Sequence, residues 1–321
     1  MEYRNLGDSG LQVSEIGLGS WLTLGSRVDN AGTAEIVRRA FDLGVNFFDT
    51  ADVYAEGGAE RALGLALREL PRRHLVIATK AFFPVSHHPN DRGLSRKHLF
   101  ESVENSLRRL GTDYLDLHQC HRSDPSTPLA ETVCAYEDLI RQGKLLYWGV
   151  SEWGGEQISE ACRIARARNA YRPISNQPQY SIMRRQIEWE VLPASEKAGV
   201  GQVVFSPLGQ GVLTGKYSGG TRPDDSRAAD EKRNIFMNAF LAAEEIAKVD
   251  QLLPIARDLG ISLPQLALAW CLRQSNVASA IVGITRSSQL EDNVGASGIR
   301  LSDETVSRIE DVFPLPAAQA G

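Results

Sequence analysis

Nowhere does the chain run to the roughly 18 consecutive apolar residues that a membrane-spanning helix needs, so no membrane insertion is expected. The first residues, Met1 to Gly7, contain no apolar segment of the kind that marks a secretory signal. Cysteine is scarce: Cys120, Cys134, Cys162 and Cys271 match neither a zinc nor a redox spacing. They read as reduced, buried thiols of a cytoplasmic protein, and no metal site is expected. An excess of positive charge is missing as well. With 35 Lys and Arg against 40 Asp and Glu, the net charge is −5, which argues against a nucleic-acid partner.

Two nucleotide-binding motifs are absent. Gly17-Leu18-Gly19-Ser20-Trp21-Leu22 lacks the last glycine of a dinucleotide fingerprint. Gly211 to Tyr217 resembles a phosphate loop, but Gln210 stands at the first glycine position and Tyr217 where Ser or Thr would meet magnesium. The adjacent pair His87-His88 lies in a loop rich in Pro and Asn and reads as solvated.

What the chain does have is a rhythm. Short apolar runs recur at Ile16–Gly19, Val45–Phe48, Leu75–Thr79, Leu115–Gln119, Leu145–Val150, Ile174–Gln177, Gln202–Ser206 and Ala280–Gly283. Most successive starts lie roughly 30 residues apart, the length of one strand-helix unit. Runs that are apolar throughout suit strands buried on both faces. Ser95 caps a helix through Leu99, Val103, Leu107 and Leu110, and Gly111 ends it; Thr33 opens another, which Gly44 ends. Eight strands alternating with helices predict a closed α/β barrel, (β/α)8, with a doubly wound open sheet as the alternative. A hairpin is expected over residues 3–13, around Gly7-Asp8-Ser9-Gly10, and a long polar loop over 209–240. No linker divides the chain, so residues 1–321 read as one barrel domain with a frayed tail at 314–321.

Four polar residues close or follow these runs. Asp49 ends the second, Tyr54 follows in the next loop, Lys80 ends the third and His121 ends the fourth. Taken singly, each has a plain reading: a turn cap, a packed loop aromatic, a solvated rim cation. Together they place an acid, a phenol, an amine and an imidazole on consecutive strand ends, where barrels carry their sites. Lys80, held by Asp49, is expected to lower the pKa of Tyr54, and His121 to donate to a carbonyl oxygen. Tyr54 then protonates that oxygen while hydride from a nicotinamide cofactor reaches the carbon. His118, within the fourth run, reads as structural.

Long motifs carry a resemblance. They include YRNLGDSGLQVSEIGLGSW at 3–21, NFFDTADVY at 46–54, GLSRKHLFESVENSLRRLGTDYLD at 93–116, TPLAETV at 127–133 and YWGVSEW at 147–153. FSPLGQGVLTGKY at 205–217, LPQLALAWCLR at 263–273 and QLEDNVGA at 289–296 follow. From Tyr3 to about Phe313 the chain resembles the aldo-keto reductase superfamily, in particular the branch of the voltage-gated potassium channel β subunits. The resemblance implies a (β/α)8 barrel binding NADP(H), with Asp49, Tyr54, Lys80 and His121 as catalytic tetrad. It implies Ser20 and Trp21, with Asp49, beside the nicotinamide, Ser151 and Gln177 on its carboxamide and Phe205 stacked on its ring. Ser206, Pro207, Leu208, Gly209 and Gln210 should line the pyrophosphate, with Lys216 and Arg227 as phosphate partners. Gly283, Thr285, Arg286, Gln289, Asp292 and Asn293 should surround the adenosine phosphate and adenine.

Trp21, Phe82, Phe83 and Trp153 are expected to line the substrate pocket together with Tyr54 and His121; core packing is their alternative. The expected activity is NADPH-dependent reduction of aldehydes or ketones by a cytoplasmic protein; the resembled branch includes tetramers, so a homo-oligomer is compatible with this reading. The alternative is an NADP(H)-binding regulatory subunit with incidental catalysis. Three departures from the channel subunits stand out: His121 in place of asparagine, which is expected to favour catalysis; Arg27 in place of glutamine, which bears on its cofactor contact; and Asp225 in place of tyrosine, which bears on how the cofactor-covering loop closes. The sequence also begins at the hairpin, with no long extension to plug a channel, which is expected to favour catalysis.

Overall fold

The computed structural model describes residues 1–224, 226–229, 234, 237 and 240–317. Asp225 and parts of the 209–240 loop and of the tail lie outside the described residues. The chain opens with an antiparallel hairpin, β1 (Tyr3–Asn5) and β2 (Gln12–Ser14), in which Tyr3 faces Ser14. Gly7 makes the turn possible: its φ is +58°, and a Cβ there would sit 2.5 Å from the Gly199 carbonyl oxygen. Eight parallel strands follow: β3 (Ile16–Gly19), β4 (Phe47–Asp49), β5 (Val76–Ala81), β6 (Leu115–Cys120), β7 (Leu145–Ser151), β8 (Ser175–Gln177), β9 (Gly201–Val204) and β10 (Val277–Val282). They close in sequence order, β10 pairing with β3, which is the closed barrel the rhythm predicted.

Helices α1 (Asn30–Asp42), α2 (Gly58–Leu67), α3 (Arg96–Leu110), α4 (Leu129–Arg141), α5 (Gly155–Ala167) and α6 (Val191–Ala198) return the chain between strands. Helices α7 (Ala243–Asp258) and α8 (Leu263–Leu272) lie between β9 and β10, with α9 (Ser287–Val294) and α10 (Asp303–Val312) after them. The third helix is built as its sequence reads. The Ser95 side chain accepts from the His98 N–H, and Gly111 ends the helix at φ +67°. The first helix is not. Its cap is Asp29, whose Oδ1 accepts from the Gly32 N–H at 2.8 Å, and Thr33 lies buried inside the first turn. Gly32, a weak helix former in that turn, hides this start from a reading by propensity.

Several strand ends also shift. Val45 caps off α1, donating to the Ala40 carbonyl, and the Asn46 side chain accepts from the Ser14 N–H of the hairpin. The pairing of β4 therefore begins at Phe47 rather than Val45. Strand β10 starts at Val277, three residues ahead of its apolar run.

Two packed layers result. Inside the barrel, Phe47, Val76, Ala78, Leu117, Val203 and Ile281 cluster with Leu6 and Val13 of the hairpin. The hairpin thus closes the N-terminal end, tied on by Arg4, which donates to the carbonyls of Leu272 and Val277. A larger cluster fills the space between strands and helices. The opposite, C-terminal end stays open.

Candidate active site

The open end leads into a cavity of about 1020 Å³. Strands β4, β5 and β6 are neighbours, and their ends bring Asp49, Lys80 and His121 together. Lys80 is fully buried. Its Nζ donates to Asp49 Oδ2 at 2.6 Å and to the Thr50 carbonyl at 2.8 Å. The other carboxylate oxygen, Asp49 Oδ1, accepts from Gln177 Nε2 at 2.8 Å, so Asp49 links β5 to β8 across the mouth. Burying an ammonium and a carboxylate is tolerable because both are paired and hydrogen-bonded.

Tyr54 folds back over this pair. Its hydroxyl lies 3.4 Å from His121 Nε2, the rings meet edge to face at 5.6 Å, and Lys80 Nζ stands 5.3 Å from the phenol ring centroid. The turn that achieves this is strained: Ala55 and Glu56 adopt φ of 49° and 53°, followed by Gly57 at 78°. Leu22, Glu152, Ser206 and Gln210 also have positive φ, and all follow barrel strands at this same end. Among the described non-glycine residues with positive φ, Asn169 is the one that precedes a strand instead. Such backbone costs of order 1–3 kcal/mol per residue and tends to concentrate at functional sites.

The electrostatics depart from expectation in one respect. No hydrogen bond of Lys80 reaches the phenol, and the phenol is not acidified. Burial, then the Asp49 carboxylate, raise the Tyr54 pKa above its ordinary value. Burial likewise pulls Lys80 down, opposed by Asp49. Burial, then the Lys80 and Arg122 charges, hold His121 well below the usual imidazole range, so its ring is neutral. Its Nδ1 is buried and without a hydrogen-bond partner. His118 is pushed down to about 3 by burial, and its Nδ1 meets the Tyr136 hydroxyl at 2.9 Å among α4 and β7 side chains. It is structural, as its place inside β6 suggested.

Most of the remaining expected residues converge on the cavity. Trp21, Ser151, Gln177, Phe205, Ser206, Pro207, Leu208, Gln210, Lys216 and Arg227 line it, as do Gly283, Thr285, Arg286, Gln289, Asp292, Asn293 and Phe83. Ser151 Oγ donates to the Gln177 carbonyl at 2.8 Å, and the Arg227 guanidinium bonds Gln210 Oε1. Five do not line it. Lys80 lies behind Asp49. Ser20 is buried with its Oγ unpartnered, its N–H donating to the Asp49 carbonyl. Gly209 packs toward Met183. Phe82 sits edge-on to Phe83 and packs on the outer core. Trp153 is buried in that core, so core packing is the reading the structure favours for both Phe82 and Trp153.

Other wall residues escaped the sequence reading. Arg122 and Gln179 each lie one or two places beyond a named strand-end residue, a signal that could have found them. Leu253 comes from α7 and Leu263 from α8, and nothing local marks either. Arg27 lines the cavity as well.

The fold and this cavity define a (β/α)8 barrel carrying its site at the C-terminal face of the strands. The chain belongs to the aldo/keto reductase family, whose family model matches residues 15–313. It is 45% identical over 318 residues to a probable voltage-gated potassium channel subunit beta of Arabidopsis thaliana, covering 98% of this chain and 97% of that protein. A protein of the same description from Oryza sativa subsp. japonica is 44% identical over 317 residues, covering 97% and 96%. A putative subunit of that kind from Schizosaccharomyces pombe is 40% identical over 320 residues, covering 97% and 93%. Members of the family generally use NAD(P)H.

Proposed function

We propose that the protein is an NADPH-dependent reductase of aldehydes or ketones, with Tyr54 as general acid. The observation that carries this reading is the buried Lys80–Asp49 pair packed beneath a phenol whose hydroxyl meets a neutral imidazole at 3.4 Å. When bound, NADPH supplies the hydride that adds to the carbonyl carbon.

The cavity residues fit such a group. Arg27, Lys216, Arg227 and Arg286 give one arc of the wall four cations, against the Asp292 carboxylate, which suits a dinucleotide with three phosphates. Ser20 Oγ and His121 Nδ1 are buried polar atoms without protein partners, beside the nicotinamide position that the resemblance implies. Each residue of the tetrad then has a task. The neutral His121 ring orients a carbonyl oxygen by hydrogen bonding. Tyr54, kept protonated by burial and by Asp49, carries the proton that oxygen receives. Lys80 lies close enough to stabilise the phenolate left behind, and Asp49 holds Lys80 in place through its carboxylate. Phe205 offers a ring face and Gln177 an amide to the nicotinamide end.

The test is consumption of NADPH, followed by absorbance, with 4-nitrobenzaldehyde. Wild type should turn the aldehyde over. Tyr54→Phe should lower kcat by about 100-fold or more while NADPH still binds, as read by fluorescence quenching. Full turnover by that variant would remove Tyr54 from the role.

The descriptions of the relatives as channel β subunits support a second reading, an NADP(H)-binding subunit of a channel. Co-purification of a membrane partner, with no turnover across a panel of aldehydes, would favour it.

A further inference from the structure

Arg122 follows His121 directly and lines the same cavity. Its Nη1 donates to the His121 carbonyl oxygen at 2.5 Å, and its guanidinium lies 5.6 Å from the Phe83 ring centroid. That hydrogen bond uses one of the five N–H donors an arginine carries. No carboxylate among the described residues forms an ion pair with it, so its charge is left to be met from the cavity.

Its place on the ring matters as much. In the closed strand order β10-β3-β4-β5-β6-β7-β8-β9, strand β6 is four strands from β10 in either direction. Arg27 follows β3, Lys216 and Arg227 follow β9, and Arg286 follows β10. Those four cations therefore share one arc, and Arg122 faces them from the far side, beside Tyr54 and His121. A dinucleotide whose phosphates occupy the first arc leaves Arg122 to the other reactant. Phe83 spans the interval. Its ring meets His121 edge to face at 4.8 Å, and the Arg122 guanidinium lies 5.6 Å from its centroid, so one aromatic ring touches both the imidazole and the charge.

We propose that Arg122 anchors a carboxylate on the carbonyl substrate, so that carboxylate-bearing aldehydes or ketones are the preferred substrate class. The proposal rests on the reductase reading above and deepens it. A guanidinium presents two parallel N–H donors that match a carboxylate, and its single charge balances a monoanion. The hydrogen bond to the His121 carbonyl fixes the side chain in advance, so little rotamer freedom remains to be lost on binding.

The test compares 4-nitrobenzaldehyde with 2-, 3- and 4-carboxybenzaldehyde for wild type, Arg122→Met and Arg122→Lys, following NADPH absorbance. Wild type should favour at least one carboxylated isomer in kcat/KM by about tenfold or more. In Arg122→Met the ratio of carboxylated to neutral kcat/KM should fall by about 10- to 100-fold, chiefly through KM, while Arg122→Lys should keep part of it. Added salt should weaken the carboxylated substrates alone. Turnover of the nitro compound with no preference for any carboxylated isomer would overturn the proposal. Equal loss on both substrate kinds in Arg122→Met would overturn it too, since a role confined to holding the His121 loop predicts that. Absence of turnover with every aldehyde would instead bring down the reductase reading, and this inference with it.

Discussion

At the scale of single residues, Asp52 is a group whose charge should be felt in stability. It is 3% exposed, its Oδ2 accepts from Ser102 Oγ at 2.7 Å and its Oδ1 has no partner. Glu60 faces it from α2, tied to Arg109 of α3 at 2.5 Å and to Thr79 of β5 at 2.6 Å. Burial pushes the Asp52 carboxyl up from 3.8 to about 7, with the Glu60 charge adding to the rise and Ser102 and Arg109 opposing it. A carboxyl whose folded pKa lies above its unfolded value binds its proton more tightly in the folded chain. Its contribution is then complete below about pH 4 and is lost as pH rises through 7. Asp52→Asn should remove that part of the slope. Relative to wild type it should gain roughly 2–4 kcal/mol between pH 4 and pH 8, read from urea unfolding at each pH. A difference that stays constant with pH would refute the assignment. Lys80, Tyr54 and Asp49 show what the sequence could say at this scale. Their strand-end positions were legible because each ends or follows an apolar run. The direction of the Tyr54 shift was not, because it depends on burial and on which oxygen Lys80 reaches.

At the scale of elements, the last helix is held by charge. Arg185, 4% exposed, donates to Glu188, Glu310 and the Phe313 carbonyl, all at 2.9 Å. Arg273 joins Glu310 at 3.0 Å and lies 3.7 Å from the Trp270 ring centroid. The network therefore ties α10 to α8 and to the segment before α6. Arg185→Met leaves two carboxylates short of a cation and should cost roughly 2–4 kcal/mol in urea unfolding. Hydrogen exchange should show α10 opening ahead of the barrel strands. Helix α3 could be read from end to end because Ser95 and Gly111 mark its limits locally. The start of α1 could not, because its cap precedes a glycine, nor could the Arg185 network, whose members lie as far apart as residues 185 and 310.

At the scale of the whole molecule, the four cations on one arc of the mouth make a prediction for the intact protein. NADPH should bind more tightly than NADH, and the difference should shrink as salt rises. At a hundredfold excess over Kd, NADPH should stabilise the fold by about 2.7 kcal/mol, visible as a rise in Tm. Equal affinity for both cofactors at every ionic strength would contradict the phosphate assignment. Among the described residues no helix is long and apolar enough to cross a membrane.

The sequence alone determined eight alternating strand-helix units and three of the rim residues, Asp49, Lys80 and His121, because both follow from local pattern. Continuous apolar runs at a regular interval can be buried only as parallel strands wrapped by helices, and a residue at the end of a strand must stand at the mouth. Tertiary structure alone decided which groups share a proton and which share a charge. Those outcomes depend on distances across the ring: Gln177 reaching Asp49 from β8, Arg122 facing four cations from the opposite arc, Phe82 and Trp153 turning into the core. No spacing along the chain encodes such distances, since they are fixed only when β10 closes against β3.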